Sequence, residues 1–248
     1  FITGKAVDPA VLVIDEAGRY VISLLSGHLG GANALARTAA SLIGAEPIIT
    51  TATDAESAFA VDTFAKENGF LLTDLRKAKA VSAKVLRGEK LRIYSDIPME
   101  RLVQRPARHE AELVPAQDID HADIVISYRT KLLNQGTGLR LIAKRVHVGL
   151  GARKGVTQAE VAAAVATCLE DAGIDPRAVV DLVSIDLKKQ EAGILAYSYE
   201  SGVPFVTFTA EELRSGAAAF AAGRSGHAEV LVHKTIHGNV TTAVAVEV

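Results

Sequence analysis

The chain has 248 residues, with 27 Lys and Arg against 29 Asp and Glu, 49% hydrophobic residues and 23% charged ones. That is the composition of a globular protein of one or two domains. No apolar run approaches the ~18 residues of a membrane span, and the near-even charge argues against a dedicated nucleic-acid binder. A single cysteine, Cys168, excludes an internal disulfide framework and a Cys-cluster metal site; it is expected as a buried structural thiol in a reducing cytoplasm. The sequence opens on Phe1 with no basic, apolar leader behind it, so it is expected to be a fragment, a processed form or the visible part of something longer.

In chain order, Val11–Ile14 and Tyr20–Leu25 have the length and Val/Ile/Tyr content of strands, with Asp15–Gly18 between them as a turn. Ala32–Ile43 is rich in Ala and Leu and predicts a helix closed by Gly44, followed by a strand at Pro47–Ile49. The order strand, Gly-rich loop, helix, strand is an α/β unit. Phe59, Val61 and Phe64 fit a first amphipathic helix stopping at Asn68-Gly69. Leu72, Leu75, Ala78, Val81 and Val85 fit a second, ending at Gly88. A strand at Leu91–Tyr94 precedes a stretch from Pro98 to Asp123 that reads as loop-rich. Asp123–Tyr128 and Leu139–Ile142 restore strand character, with a turn at Asn134–Gly138. Val146–Leu150, a loop at Gly151–Gly155 and a helix from Thr157 to Ala172 repeat the α/β device, and Thr157 with Glu160 makes a capping box. Val179–Ile185 reads as strand or short helix, Gln190–Glu200 as helix, Val203–Phe208 as strand and Ala210–Leu213 as a helical start. Glu229–Val232 and Thr241–Val246 close the chain as strands. These patterns divide it at 1–54, 55–144 and 145–248, and only the middle section has a basic excess, 15 side chains against 12.

Ser26-Gly27-His28-Leu29-Gly30-Gly31-Ala32-Asn33 is the most informative segment. Its glycines allow positive φ and close approach of a ligand, and the helix beyond supplies amides and positive dipole for a phosphate, carboxylate or oxyanion. Ser26 adds a hydroxyl and His28 a group that titrates near neutrality. The spacing is neither G-x-G-x-x-G nor a P-loop; a tight turn with Ser26 as cap is the structural alternative. Gly149–Gly155 is a second anion-binding candidate, with Arg153 and Lys154 opposing the dipole of the helix that follows, or simply two solvated charges. In Ser184–Glu191, Asp186 and Lys188 would share a side if extended, and Lys188 with Glu191 are i,i+3 neighbours if helical, where a surface ion pair would explain them. His233 and His237 lie in a strand-and-turn pattern that does not suit a metal.

Asp15–Val21, Leu25–Asn33 and Pro47–Asp54 resemble the first domain of the CbiG family, the cobalt-precorrin-5A hydrolases of anaerobic cobalamin synthesis. Val148–Gly155, Ser184–Lys188 with Glu191, and Lys234-Thr235 with Gly238–Val240 resemble its C-terminal domain. Ala152 stands where the family usually has Cys. The resemblance implies a multi-domain α/β protein: a Rossmann-like N-terminal domain, a small middle α/β domain and a C-terminal α/β domain of the CobE and CbiG type. It implies opening of a substrate δ-lactone by water with release of acetaldehyde. No protein metal or other cofactor is expected, because the cobalt is carried by the substrate. The implied partners are that tetrapyrrole and other pathway enzymes, with no nucleic acid or membrane. On this reading the Gly27, Gly30, Gly31 and Asn33 amides hold the oxyanion and His28 is the base beside Ser26. Arg153 and Lys154 clamp peripheral carboxylates, and Asp186, Lys188 and Glu191 contact substrate or move protons. A non-catalytic tetrapyrrole carrier and a generic anion-binding α/β enzyme are the alternatives.

Overall fold

The computed structural model describes residues 9–27, 30–49, 60–103, 111–213, 221, 223 and 227–247. Three mixed α/β sheets follow one another along the chain. The first has the order β1-β2-β3, from Val11–Ile14, Tyr20–Leu25 and Glu46–Ile49. β1 and β2 form an antiparallel hairpin, and β2 is parallel to β3 across helix α1, Ala32–Ile43. A single parallel crossover is therefore present in this sheet. The hairpin turn is held by the Asp15 carboxylate, which accepts from the amides of Arg19 and Tyr20 at 2.6 Å each. Ala32, Ala36 and Ala40 recur every four residues and lie buried on α1. Their small side chains let the helix sit close to Val21 in the core beneath it.

The second sheet has the order β4-β8-β7-β5-β6: Phe70–Leu72, Leu139–Ala143, Ile124–Ser127, Leu91–Ser95 and Leu113–Pro115. β4 is antiparallel to β8; β8, β7, β5 and β6 are parallel. Helices α2 (Val61–Glu67) and α3 (Leu75–Leu86) contribute Phe64, Val81 and Val85 to its core. Two expectations change here. Leu72 belongs to β4 and not to a helix, because the Asp74 side chain caps α3 by accepting from the amides of Arg76 and Lys77. The stretch from Pro98 to Asp123 contains a 3-10 turn at Met99–Arg101 and the edge strand β6. A four-residue helix α4, Thr130–Leu133, precedes the turn at Asn134–Gly138.

The third sheet has the order β11-β10-β9-β13-β12: Phe205–Phe208, Val179–Ile185, Val146–Ala152, Val240–Glu247 and Ala228–His237. β9, β10 and β11 are parallel, and β13 runs antiparallel to both β9 and β12. Helices α5 (Gln158–Asp171) and α6 (Ala192–Ser201) cross over between the parallel strands. Alternation on β9 turns Val146, Val148 and Leu150 into the same core as Val161, Val165, Leu169 and Ile194. The capping box forms as read, with the Thr157 hydroxyl accepting from Glu160 N and the Glu160 carboxylate accepting from Thr157 N. Cys168 is buried in this core, and burial pushes its thiol up. β9 runs to Ala152, two residues beyond the expected strand end, because Ala152 pairs with Val240 of β13.

Candidate active site

The parallel strands of the third sheet release their chain at one edge, where open α/β sheets receive ligands. There Gly151–Gly155 follows β9, Asp186–Glu191 follows β10, and the β12–β13 turn at Gly238-Asn239 joins them because Val240 pairs with Ala152. The Arg153 amide donates to the Asn239 carbonyl at 3.0 Å. The Asn239 side-chain amide donates to the Glu160 carboxylate at 2.8 Å. Glu160 is held down to about 2 by the Thr157 amide and hydroxyl and by Asn239. It is thus tied to structure and unsuited to proton transfer. Asn239 belongs to the Gly238–Val240 stretch of the C-terminal resemblance but is not among the expected site residues; its signal is a Gly-Asn turn between two alternating strands.

Glu191 reaches across to the second glycine loop. Its carboxylate accepts from the Gly155 amide at 2.7 Å, and its other oxygen lies 3.9 Å from Lys188 Nζ. Gly155 has φ of 80°, so the loop presents its amide in a conformation that favours glycine. Close packing enforces the approach: α6 begins just after Glu191, and Gly193 is pressed against the Val156 carbonyl so tightly that a Cβ there would collide with it. Asp186 and Lys188 lie in a 3-10 turn, Asp186–Lys188, and not on a strand, so they do not share a side by alternation. The expected i,i+3 pair of Lys188 and Glu191 is present. Arg153 and Lys154 are exposed on the loop and make no ion pair among the described residues. The site therefore has a carboxylate anchored on a glycine amide, a half-buried ammonium beside it, and two cations at its mouth.

The first glycine loop stands in the first sheet with a scaffold of its own. Ser26 has φ of 57° and does not cap α1; Gly31, with φ of 80°, occupies the N-cap. Asn33 is buried, and its side-chain oxygen accepts from the Ser23 hydroxyl at 2.5 Å. The amides of Ala32 and Asn33 donate to the carbonyls of Ser26 and Gly27 at 3.1 and 3.0 Å. The Asn33 amide is thus committed to folding the loop and is not an open oxyanion donor. A Cβ at Gly27 would come within 2.8 Å of the Asn33 side chain, and one at Gly30 would strike Ser26. Close packing requires both glycines. His28 lies outside the described residues.

Among the described residues no group of three or more His, Cys, Asp or Glu is placed to hold a metal ion. None of their helices is long and apolar enough to cross a membrane. A cleft of about 340 Å³ lies between β4, α5 and α6, lined by Leu71, Lys144, Leu169, Tyr197 and Val203 among others. None of the expected site residues among the described ones lines it.

Residues 1–54 match the family model described as cobalamin synthesis G N-terminal, residues 59–142 cobalamin biosynthesis central region, and residues 146–217 cobalamin synthesis G C-terminus. A Salmonella typhimurium protein named cobalt-precorrin-5A hydrolase is 38% identical over 221 residues, 86% of this chain and 62% of that protein. A Priestia megaterium protein of the same name is 32% identical over 224 residues, 85% of this chain and 59% of that protein. The chain thus spans about three fifths of the length of these relatives. A solved cobalamin biosynthesis protein G homologue from Sulfolobus solfataricus aligns over 100% of this chain and 77% of its own, with 22% identity and a TM-score of 0.37. Three consecutive models in the family's own order, with relatives at this identity, establish that the chain belongs to the CbiG family.

Proposed function

We propose that the protein opens the δ-lactone of cobalt-precorrin-5A with water and releases the two-carbon unit as acetaldehyde, in the cytoplasmic synthesis of cobalamin. The observation that carries this reading is the 38% identity to a relative named for that hydrolysis, spread over 86% of this chain. The site chemistry agrees with it. Lactone opening needs donors at the carbonyl oxygen, a base for water and control of a proton while the C–C bond breaks. Backbone amides of the first loop, at Gly27, Gly30 and Gly31, serve as the donors, and His28 beside Ser26 serves as the base. Arg153 and Lys154 hold peripheral carboxylates of the macrocycle, with Arg153 offering a bidentate fork. Lys188, paired with Glu191, supplies a proton or a charge contact at the edge of the same sheet, with Asp186 nearby in the chain. The cobalt belongs to the substrate, and no protein cofactor enters the scheme.

The test is acetaldehyde release from cobalt-precorrin-5A, followed as NADH loss through added alcohol dehydrogenase. Stoichiometric acetaldehyde is expected, and its loss in His28→Ala with the fold retained. Binding of the macrocycle with no acetaldehyde would replace the hydrolase with a carrier.

A further inference from the structure

The second sheet has a carboxyl edge of its own, and its topology marks one point on it. From β5 the chain leads to β6 on one side, whereas from β7, the neighbour of β5 on the other side, it leads outward to β8. The crevice between the ends of β5 and β7 is therefore a topological switch point, the place where open parallel sheets take ligands. Asp96 follows β5, and Ser127 ends β7 with Tyr128-Arg129 just beyond it, so this crevice is lined by polar groups.

Those groups are ordered but not mutually satisfied. The buried Ser127 hydroxyl donates to the Asp96 carboxylate and accepts from the Arg129 amide at 2.8 Å. The Arg129 guanidinium stacks over Tyr128, with Cζ 5.1 Å from the ring centre, and donates to the Tyr128 hydroxyl at 3.2 Å. Its Nε is 3.9 Å from Asp96, too far for a hydrogen bond, and its side chain is 45% exposed. The Tyr128 ring and hydroxyl thus hold the guanidinium at the crevice while much of it stays open to solvent.

We propose that this crevice is a second ligand site, where Arg129 grips the carboxylate of a small organic acid beside Asp96 and Ser127. A carboxylate completes the bidentate pair that Asp96 does not make. Burial pushes the Asp96 carboxyl up, which weakens its opposition to a second carboxylate at the Arg129 fork. The site is distinct from the second glycine loop. Tyr128 and Thr130 bond to Asp175 and Gly173, ahead of β10, whereas the glycine loop lies beyond the far ends of these strands. The seven residues of β10 separate the two edges by roughly 20 Å.

Titration calorimetry of the whole chain with succinate, and separately with inorganic phosphate, tests the proposal. Succinate is expected to bind, roughly tenfold more weakly in Arg129→Gln and several-fold more weakly in Arg129→Lys, which keeps the charge but loses the fork. Lys154→Gln should leave this binding unchanged. If Arg129→Gln fails to fold, Arg129→Lys carries the test. No succinate binding, or equal binding by both Arg129 variants and the parent, would overturn the site. Phosphate binding tighter than succinate would overturn the ligand class, and loss in Lys154→Gln would move the anion to the glycine loop. Acetaldehyde release bears on the hydrolase reading alone, so the two can fail separately.

Discussion

Both ring nitrogens of His147 face carboxylates, Nδ1 at 2.7 Å from Asp181 and Nε2 at 3.0 Å from Glu247. A neutral imidazole would turn a lone pair toward one of them, so the geometry calls for the imidazolium. Burial opposes that charge, but the bonds and charges of Asp181 and Glu247 overcome it and raise the pKa. Arg145, whose Nε is buried with no hydrogen-bond partner among the described residues, lies beside Glu247, with the charge of Arg101 also acting on it. A His with a raised folded pKa gives stability that is full below about 6.5 and lost as pH rises through the folded value. The urea midpoint should therefore fall on the alkaline side, and His147→Gln should flatten that limb; an unchanged limb in the variant would exclude His147 as its source. Glu191 offers a second residue-scale prediction, resting on the proposed hydrolysis. Glu191→Ala leaves the Gly155 amide without its acceptor and Lys188 without its counter-charge. Turnover should drop about ten- to a hundredfold from the misplaced loop. Glu191→Gln keeps an acceptor for Gly155 and should recover most of it. Equal loss in both would mean that the carboxylate's charge, and not its hold on the loop, matters.

Helix α6 starts where the backbone has no spare room. A Cβ on Gly193 would collide with the Val156 carbonyl, whereas one on Gly202, which caps the same helix at φ of 68°, would meet nothing within 4 Å. Gly193→Ala should cost about 2–3 kcal/mol by forcing the helix off the loop. Gly202→Ala should cost ~1 kcal/mol from its backbone conformation alone. Urea midpoints at equal slope would decide it, and equal costs would mean that the loop gives way. The contrast shows what a sequence can and cannot disclose. The α5 start was legible because Thr157 and Glu160 satisfy each other within four residues, and the glycine loops because strand, loop and helix follow in order. Leu72 misled because its spacing from Leu75 suits a helix, and only the Asp74 cap separates the two elements. Strand β6 was invisible because its partner, Leu91–Ile93, lies some twenty residues away and Leu113–Pro115 ends in proline. In the site, the bond from Gly155 to Glu191 spans 36 residues and that from Ser127 to Asp96 spans 31. No local pattern encodes such pairs; the parallel strand order brings them together.

The second and third sheets are fastened across their boundary by backbone and by core. The Thr130 amide donates to the Gly173 carbonyl and the Asp175 amide to the Tyr128 carbonyl, each at 2.9 Å, on either side of an antiparallel bridge between Arg129 and Ile174. Tyr128, Leu133 and Ile142 come from the second sheet and its helix α4, yet they pack in one cluster with Val146, Leu169, Ile174 and Ala178 of the third. A boundary at 144/145 is thus a change of sheet without a break in the core, whereas the first sheet has a small core of its own around Val21, Ala36 and Ala40. Shared burial makes for shared unfolding, because separating the sheets would expose this cluster to water. The Thr130 and Asp175 amides should therefore be protected from hydrogen exchange as strongly as those of Ile126 and Leu182, within about 1 kcal/mol. Leu133→Ala should remove about 2–4 kcal/mol by leaving a cavity in the joint. It should lower protection on both sheets together, even though Leu133 lies in a four-residue helix of only one. Loss confined to the second sheet would show two independent units. Loss in both would mean that the crevice at Arg129 and the glycine-loop edge are held by one cooperative body, so that a ligand in either stabilises the other.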